Sequence, residues 1–208
     1  MAKTRPFDRF PDRYDHWFQE HEHLYQLELK AIKALMPAPG TDMEIGVGSG
    51  RFASPLGIRF GVEPSMVMAE RAKRKGIEVA IGIAEQLPIK TSSIDTALMV
   101  TTICFVDDIT TSFIEAKRVL RPGGAIVVGF VDRESFLGKR YLNRKEESVF
   151  YKEATFFSSS EVLSFLANAG FTDLQAVQTI LPDDNIYSRV EQGHGRGGFV
   201  VIKGEKHL

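Results

Sequence analysis

The stretch EIGVGSG at residues 44–50 decides the fold of this chain. It overlaps the short apolar run MEIGV at 43–47 and places glycines at every second position, Gly46, Gly48 and Gly50. Glycine has no Cβ, so a backbone built this way can pass close to a ligand. Open parallel sheets bind ligands at the carboxyl ends of their strands. We therefore predict a strand, a binding loop and a helix here, although a glycine-rich turn without a ligand has the same pattern.

Outward from this loop, short apolar runs alternate with helical patterns. The runs predict strands at 43–47, 58–63, 77–83, 94–100 and 125–131. Helical patterns lie between them, from Ser65 to Lys75 and over 108–120. This repetition predicts βαβ units and a parallel sheet. Later, strand patterns at 173–181 and 198–203 have no helix between them, which indicates an antiparallel pair.

The segment before the first strand is rich in helix formers. Apolar residues recur at helical spacing over 11–36, which predicts one long or broken amphipathic helix. Pro37, Pro39 and Gly40 end it and supply a hinge. We expect residues 1–36 to form a helical extension that is a mobile lid, or a helix permanently docked on the sheet. Residues 37–208 form the main domain.

Composition excludes several classes of protein. With 43% hydrophobic and 25% charged residues, the 208-residue chain has the composition of an ordinary globular protein. Its net charge of −1 disfavours nucleic acid and anionic membrane surfaces as partners. The single cysteine, Cys104, excludes an intrachain disulfide and a multi-cysteine zinc site, and no metal is expected. Without a signal peptide pattern or an apolar run of about 18 residues, we predict a cytoplasmic protein.

A dinucleotide site is one alternative for the glycine loop. Gly48, Gly50 and Ala53 satisfy the G-x-G-x-x-A pattern. That pattern requires an acid about 20 residues further on, whereas Glu63 follows Gly50 by 13 residues. Glu44 would also repel a pyrophosphate. A positively charged ligand fits this loop better, so an NAD-dependent oxidoreductase is the weaker alternative.

The loop resembles the E/D-x-G-x-G-x-G loop of class I S-adenosylmethionine-dependent methyltransferases. Four further stretches resemble that family in order and spacing: GVEPS at 61–65, GIAEQLPIKTSSID at 82–95, ALMVTTICFVDD at 97–108 and RVLRPGG at 118–124. The resemblance covers about residues 40–205 and is closest to the ubiquinone/menaquinone-biosynthesis-like branch that modifies small molecules. It implies a single Rossmann-like, doubly wound α/β sheet of about seven strands, mostly parallel with an antiparallel C-terminal hairpin.

The resemblance also implies S-adenosyl-L-methionine as cofactor. Glu63 would accept hydrogen bonds from the ribose hydroxyls, and Glu44 would face the methionine ammonium directly or through water. Without a ligand, the same carboxylates would be a turn acid and a loop cap. The full set of predicted cofactor-binding residues is Glu44, Gly46, Gly48, Gly50, Glu63, Pro64, Ala84, Glu85 and Thr101. Ile83 stands where the family commonly has an aspartate that reaches the adenine amine, which leaves adenine selectivity open.

For the methyl acceptor, the resemblance implies a pocket formed by the N-terminal helices and the segment after the fifth strand. Tyr14, Trp17 and Phe18 and the aromatic segment 132–157 are the predicted contributors. No residue stands out as a general base. We expect methyl transfer to a small-molecule acceptor. A non-catalytic S-adenosylmethionine-binding regulator or partner subunit remains an alternative.

Overall fold

The computed structural model describes residues 3–182 and 189–207. Among these residues, eight strands form one sheet in the order β3-β2-β1-β4-β5-β8-β6-β7. The strands are β1 (Asp42–Ile45), β2 (Phe60–Glu63), β3 (Glu78–Ile81), β4 (Ile94–Val100), β5 (Leu120–Val131), β6 (Thr172–Thr179), β7 (Glu191–Gln192) and β8 (Phe199–Glu205). Strands β1 to β5 are parallel, and β8 pairs antiparallel with both β5 and β6.

Helices connect and cover these strands. They are α1 (Arg5–Arg9), α2 (Pro11–Glu20), α3 (Glu22–Leu35), α4 (Ala53–Leu56), α5 (Met66–Lys73), α6 (Ile109–Val119), α7 (Phe136–Asn143) and α8 (Ser159–Asn168), with a 3-10 helix at Lys145–Glu147. Several begin with side-chain caps. Asp108 accepts from the backbone N–H groups of Thr110 and Thr111, and Ser158 forms a capping box with Glu161. Among the described residues, none of the helices is both long and apolar enough to cross a membrane.

The sheet is buried on both faces, as a parallel sheet between helices requires. Successive residues of β4 alternate between two apolar clusters: Ala97 and Met99 pack in one, Leu98 and Val100 in the other. The first cluster includes Phe113 of α6, and the second includes Ile32 of α3. The parallel sheet with its antiparallel C-terminal pair confirms the predicted fold class.

Two details differ from the sequence-based prediction. The sheet has eight strands where about seven were expected, because the two-residue β7 pairs with β6 at Val177 and Gln178; a strand this short has no readable alternation. Strand β5 also starts earlier than residue 125. Leu120 pairs with Ile94, and the register then shifts so that Ala125 pairs with Thr96. The intervening residues therefore form an irregularity within β5.

The N-terminal extension contains three helices: α2 and α3 match the broken form of the helix predicted over 11–36, and α1 precedes the predicted range. The helices meet at Phe10 and His21. Helix α3 packs against β5, β6 and β8, and its buried residues include Ala31 and Ile32 at 0% exposure. In contrast, α1 has no buried residue and α2 has only Phe18. The expected hinge at 37–40 therefore follows a firmly packed helix. A lid can comprise only α1 and α2, and that narrower lid stays a prediction.

Candidate active site

A cavity of about 160 Å³ opens at the carboxyl ends of the parallel strands. The glycine loop, the ends of β2 and β4 and the segment after β3 form one half. Helices α1 to α3 and the segment after β5 contribute to the other half. Of the predicted residues, the cavity is lined by Gly46, Gly48, Glu63, Pro64, Ala84, Glu85, Thr101, Tyr14, Trp17 and Phe18. Glu44 and Gly50 lie outside its lining.

The three loop glycines all have left-handed backbone conformations, with φ of 72°, 53° and 76°. Their surroundings differ. A Cβ on Gly46 would lie 2.5 Å from the Thr102 side chain, and one on Gly50 would lie 2.5 Å from Ile77. A Cβ on Gly48 would meet only the Tyr14 hydroxyl at 3.4 Å and looser contacts. Gly46 and Gly50 therefore permit close packing, whereas Gly48 leaves open space at the cavity.

Glu63 ends β2 and holds the first two loops together. Its Oε2 accepts from the Gly48 N–H at 2.8 Å, and its Oε1 accepts from the Ser65 N–H at 2.9 Å. Burial raises the pKa of this carboxyl to about 7, against the lowering effect of the two N–H donors. Each carboxylate oxygen has a second lone pair, so Glu63 retains acceptor capacity at the cavity.

Glu44 lies beneath the loop and is 1% exposed. It accepts from the backbone N–H of Ala53, the first residue of α4, and burial raises its pKa well above the usual value. Its Oε2 has no hydrogen-bond partner within the described part of the chain. The contact to Ala53 matches the loop-cap interpretation. Because Glu44 does not line the cavity, contact with a ligand ammonium would need an intermediary, and that role stays a prediction.

The segments after β3 and β4 form the next part of the wall. Ile83 is 37% exposed and lines the cavity together with Ala84. Glu85 turns its Oε1 toward the neighbouring loop, where it accepts from the N–H groups of Asp107 and Asp108 at 2.6 and 3.2 Å. Its carboxylate therefore braces the loop after β4. Thr101 has φ of 50°, a strained conformation for a β-branched residue that often marks functional sites.

Asp15 of α2, which sequence reasoning missed, joins the N-terminal helices to this half of the cavity. Its Oδ1 accepts from Ser49 Oγ at 2.7 Å and from Arg51 Nε at 2.6 Å, while Oδ2 accepts from Arg71 Nη1 at 2.8 Å. Burial alone would raise the pKa of Asp15, but these hydrogen bonds hold it below the usual value. Nothing in the local sequence marks this aspartate, because its partners lie 34 to 56 residues away.

Aromatic rings form the opposite half of the cavity. Phe7 of α1 lies 5.1 Å from Phe105 and 5.4 Å from Phe150 between ring centroids, and Tyr141 stacks on Tyr151 at 5.2 Å. Cys104 is buried nearby, and burial raises the pKa of its thiol to about 12, which removes it as a nucleophile at neutral pH. The N-terminal helices and the segment 132–157 thus meet at one cavity.

Comparison with known proteins identifies the family. Residues 43–128 match the model of a methyltransferase domain. An uncharacterized protein of Methanocaldococcus jannaschii is 44% identical over 202 residues, which cover 96% of this chain and 98% of the relative. A crystal structure from Thermotoga maritima, described as an S-adenosylmethionine-dependent methyltransferase and possible histamine N-methyltransferase, is 50% identical with a TM-score of 0.93 and covers 97% of this chain and 98% of its own. The chain belongs to the S-adenosylmethionine-dependent methyltransferases.

A more distant methyltransferase shares the fold alone. The phosphoethanolamine N-methyltransferase 2 of Haemonchus contortus, in complex with S-adenosyl-L-methionine, is 17% identical with a TM-score of 0.64. That match covers 88% of this chain and 53% of the other. The family assignment confirms the methyltransferase resemblance at the level of class I. The ubiquinone/menaquinone-biosynthesis-like branch stays a prediction.

The titratable side chains around this cavity are mainly acidic. Among the described residues, the charged side chains in the lining are Lys3, Glu28, Glu63, Glu85 and Asp107. Glu28, also missed from the sequence, lies on α3 and is 6% exposed, and burial raises its pKa to about 8. An available signal was its position on the apolar face of α3, next to Leu27 and three residues before Ala31. An acidic cavity favours positively charged ligands.

Proposed function

We propose that this protein transfers the methyl group of S-adenosyl-L-methionine to a small-molecule acceptor. The observation that carries the proposal is Glu63, which ends β2 and faces the cavity beside the open backbone of Gly48. A carboxylate with free lone pairs at this position suits two vicinal ribose hydroxyls. The acidic lining suits a sulfonium cation.

The residues present fit the cofactor. Gly48 leaves space that a Cβ would occupy, and Pro64 and Ile83 offer apolar surface for an adenine ring. Ile83 cannot accept a hydrogen bond from the adenine amine. Recognition of adenine therefore depends on apolar contact and on the backbone at Ala84. The methionine end would lie toward Gly46 and Thr101, with Glu44 beneath the loop.

Methyl transfer requires few catalytic side chains from the protein. When bound, S-adenosyl-L-methionine supplies an activated methyl group, so the protein has to position the acceptor and exclude water. Holding a nucleophile in line at about 3 to 3.5 Å can contribute roughly 7 to 11 kcal/mol to the barrier reduction. The aromatic half, with Phe7 and Tyr14 from the N-terminal helices, supports both tasks.

Calorimetry tests the proposal directly. Wild-type protein is titrated with S-adenosylhomocysteine and, in parallel, with NAD⁺. We expect saturable binding of S-adenosylhomocysteine and none of NAD⁺. Binding of NAD⁺ alone would contradict the proposal and favour the oxidoreductase alternative.

A second assay separates an enzyme from a non-catalytic binder. The protein is incubated with S-adenosyl-L-methionine and pooled small amines, phenols, thiols and carboxylic acids, and S-adenosylhomocysteine formation is followed by chromatography. We expect acceptor-dependent product above the spontaneous background, with Gly48→Val as the inactive control. Tight binding of the cofactor without turnover of any pool would favour the regulator or partner-subunit alternative.

A further inference from the structure

One half of the cavity is formed by helices α1 to α3 and the segment after β5, and we call it the acceptor half. It contains a buried carboxyl group that cofactor binding does not require. Glu28 lies on α3, is 6% exposed and lines the cavity. Within residues 3–182 and 189–207, its side chain has neither a hydrogen-bond nor an ion-pair partner. A buried carboxyl group without a partner is rare in folded proteins, and burial keeps it neutral up to a higher pH than usual.

Folding alone does not explain a glutamate at this position. The neighbouring buried residues of α3 include Leu27, Leu29 and Ile32, and the helix packs on the sheet through apolar side chains. An apolar residue at position 28 would suit that interface as well. Glu28 differs from these neighbours because it carries a carboxyl group and lines the cavity, whereas Leu27, Leu29 and Ile32 do not line it.

The groups around Glu28 suit a cation. Tyr141 and Tyr151 line the same cavity with ring centroids 5.2 Å apart, and Phe105 lies 6.0 Å from Tyr151. Ring faces attract ammonium groups, most strongly where water is excluded. The titratable groups that interact with Glu28 are Tyr25, Tyr141 and Tyr151, whose own pKa values are raised mainly by burial. These phenols are neutral at physiological pH and do not compensate a negative charge.

We propose that Glu28 and the tyrosines beside it receive a cationic amine as methyl acceptor, and that Glu28 accepts the proton that this amine must lose. The inference rests on the proposed function and adds its substrate class and its base. A bound ammonium group favours the ionised form of Glu28 by acting as its counter-charge, and the rings supply its apolar surroundings.

Methyl transfer to such an amine begins with the loss of a proton from its nitrogen. The ammonium R–NH₃⁺ transfers a proton to the Glu28 carboxylate, which leaves R–NH₂ and a neutral carboxyl group. The nitrogen lone pair forms the new N–C bond to the methyl group, and the electrons of the broken C–S bond stay on sulfur. The products are R–NH₂⁺–CH₃ and S-adenosylhomocysteine, and Glu28 later releases its proton to solvent.

The acidity of Glu28 supports this role. Burial raises its pKa to about 8, close to values of about 8 to 10 for protonated amines. Proton transfer between groups of similar pKa is efficient in either direction. An ordinary exposed glutamate would be too weak a base for an amine.

Binding of matched ligand pairs tests the inference without any variant. Wild-type protein saturated with S-adenosylhomocysteine is titrated with ethylamine, butylamine and 2-phenylethylamine, and with ethanol, butanol and 2-phenylethanol. We expect at least one amine to bind at least tenfold more tightly than its alcohol. Equal or tighter binding of the alcohols, or no binding by any amine, would overturn the inference.

Variants then assign the preference to Glu28. We expect Glu28→Gln to lose at least 20-fold in amine affinity while its affinity for S-adenosylhomocysteine changes less than twofold. Glu20→Gln, with a side chain 57% exposed on α2, is the matched control and should bind like wild type. An unchanged amine preference in Glu28→Gln would overturn the role of Glu28. If wild type does not bind S-adenosylhomocysteine, the proposed function itself is overturned.

Discussion

The two halves of the cavity differ in the parts of the chain that form them: backbone groups dominate one half, and side chains dominate the other. The half that we propose for the cofactor, called the cofactor half below, consists largely of backbone: glycine conformations at Gly46 and Gly48, and N–H groups that hold the Glu63 carboxylate. The half that we propose for the acceptor consists of side chains, Glu28 and a set of aromatic rings, which belong to segments far apart in the chain. The first half follows from a short motif with rigid spacing. The second exists only after tertiary folding and can change without disturbing the first.

Changing the backbone half at Gly48 should have the largest effect. Gly48→Val should abolish detectable binding of S-adenosylhomocysteine, because the side chain fills ligand space and strains a residue with φ of 53°. Calorimetry measures binding, and circular dichroism checks the fold. Gly76→Val is the control, since Gly76 has φ of 83° but no atom within 4 Å of an added Cβ. Wild-type affinity in Gly48→Val would show that the loop is only a turn.

Removing the carboxylate of the same half should be the next largest effect. We expect Glu63→Ala to weaken S-adenosylhomocysteine binding by about 2 to 4 kcal/mol, the scale of charged hydrogen bonds lost in a buried site. Calorimetry on the folded variant provides the measurement, with the exposed Glu78→Ala of β3 as control. Unchanged affinity in Glu63→Ala would remove Glu63 from the cofactor site.

A change at Glu28, in the acceptor half, should alter the pH dependence of the free energy of unfolding rather than the affinity for the cofactor. The folded-state pKa of Glu28 is about 8 against 4.5 for the ordinary value, so folded wild type holds a proton that the unfolded chain releases. Wild type therefore loses stability as pH rises through this window, and Glu28→Gln lacks that loss. Between pH 6 and pH 8, the free energy of unfolding of Glu28→Gln should rise relative to that of wild type by about 2 kcal/mol, measured by urea unfolding. Parallel pH dependence of the two proteins would contradict a raised pKa at Glu28.

The pH dependence of the affinity for S-adenosylhomocysteine should report the ionisation of Glu63, the other buried carboxyl group. Ribose hydroxyls donate to the ionised form of Glu63, whose pKa is about 7. Binding should therefore be full above that pH and weaken by up to about tenfold per pH unit below it. Titrations of S-adenosylhomocysteine from pH 5.5 to 8.5 measure the slope, and Glu63→Gln should flatten it. A flat wild-type profile would argue against a hydrogen bond to ionised Glu63.

The link between the two halves should give the smallest effect. Asp15→Asn weakens the contacts from Arg51 and Arg71, so α1 and α2 should open more often over the cavity. We expect a loss of about 1 kcal/mol in S-adenosylhomocysteine affinity and faster hydrogen exchange over residues 5–20. Glu20→Gln is the control, since the Glu20 side chain is 57% exposed and its ion pair, to His16, lies within α2. Equal, strong protection of these helices in both variants, with and without ligand, would indicate fixed helices and no lid.

The sequence was informative where structure is local. The spacing from the glycine loop to Glu63 lies within one strand–helix–strand unit, so the fold class and most of the cofactor-half lining could be predicted. Asp15 could not be predicted, because its partners are brought together only by tertiary packing. Glu44 and Gly50 belong to the same motif, yet they lie under the loop, since periodicity does not reveal which side faces a ligand. Glu28 was missed because helical periodicity identifies the apolar face of α3 but does not show which residues on that face line a cavity.

The position of β8 between β5 and β6 has a consequence for biosynthesis. Every pairing of β8 is antiparallel to a strand made earlier, and β5 and β6 do not pair with each other. During synthesis on the ribosome, the edges of β5 and β6 that pair with β8 therefore stay unpaired until residues 199–205 emerge. Unpaired strand edges promote aggregation. The apolar core residues Val200, Val201 and Ile202 thus arrive last. A nascent chain stalled before them would present two strand edges for chaperones or for neighbouring chains.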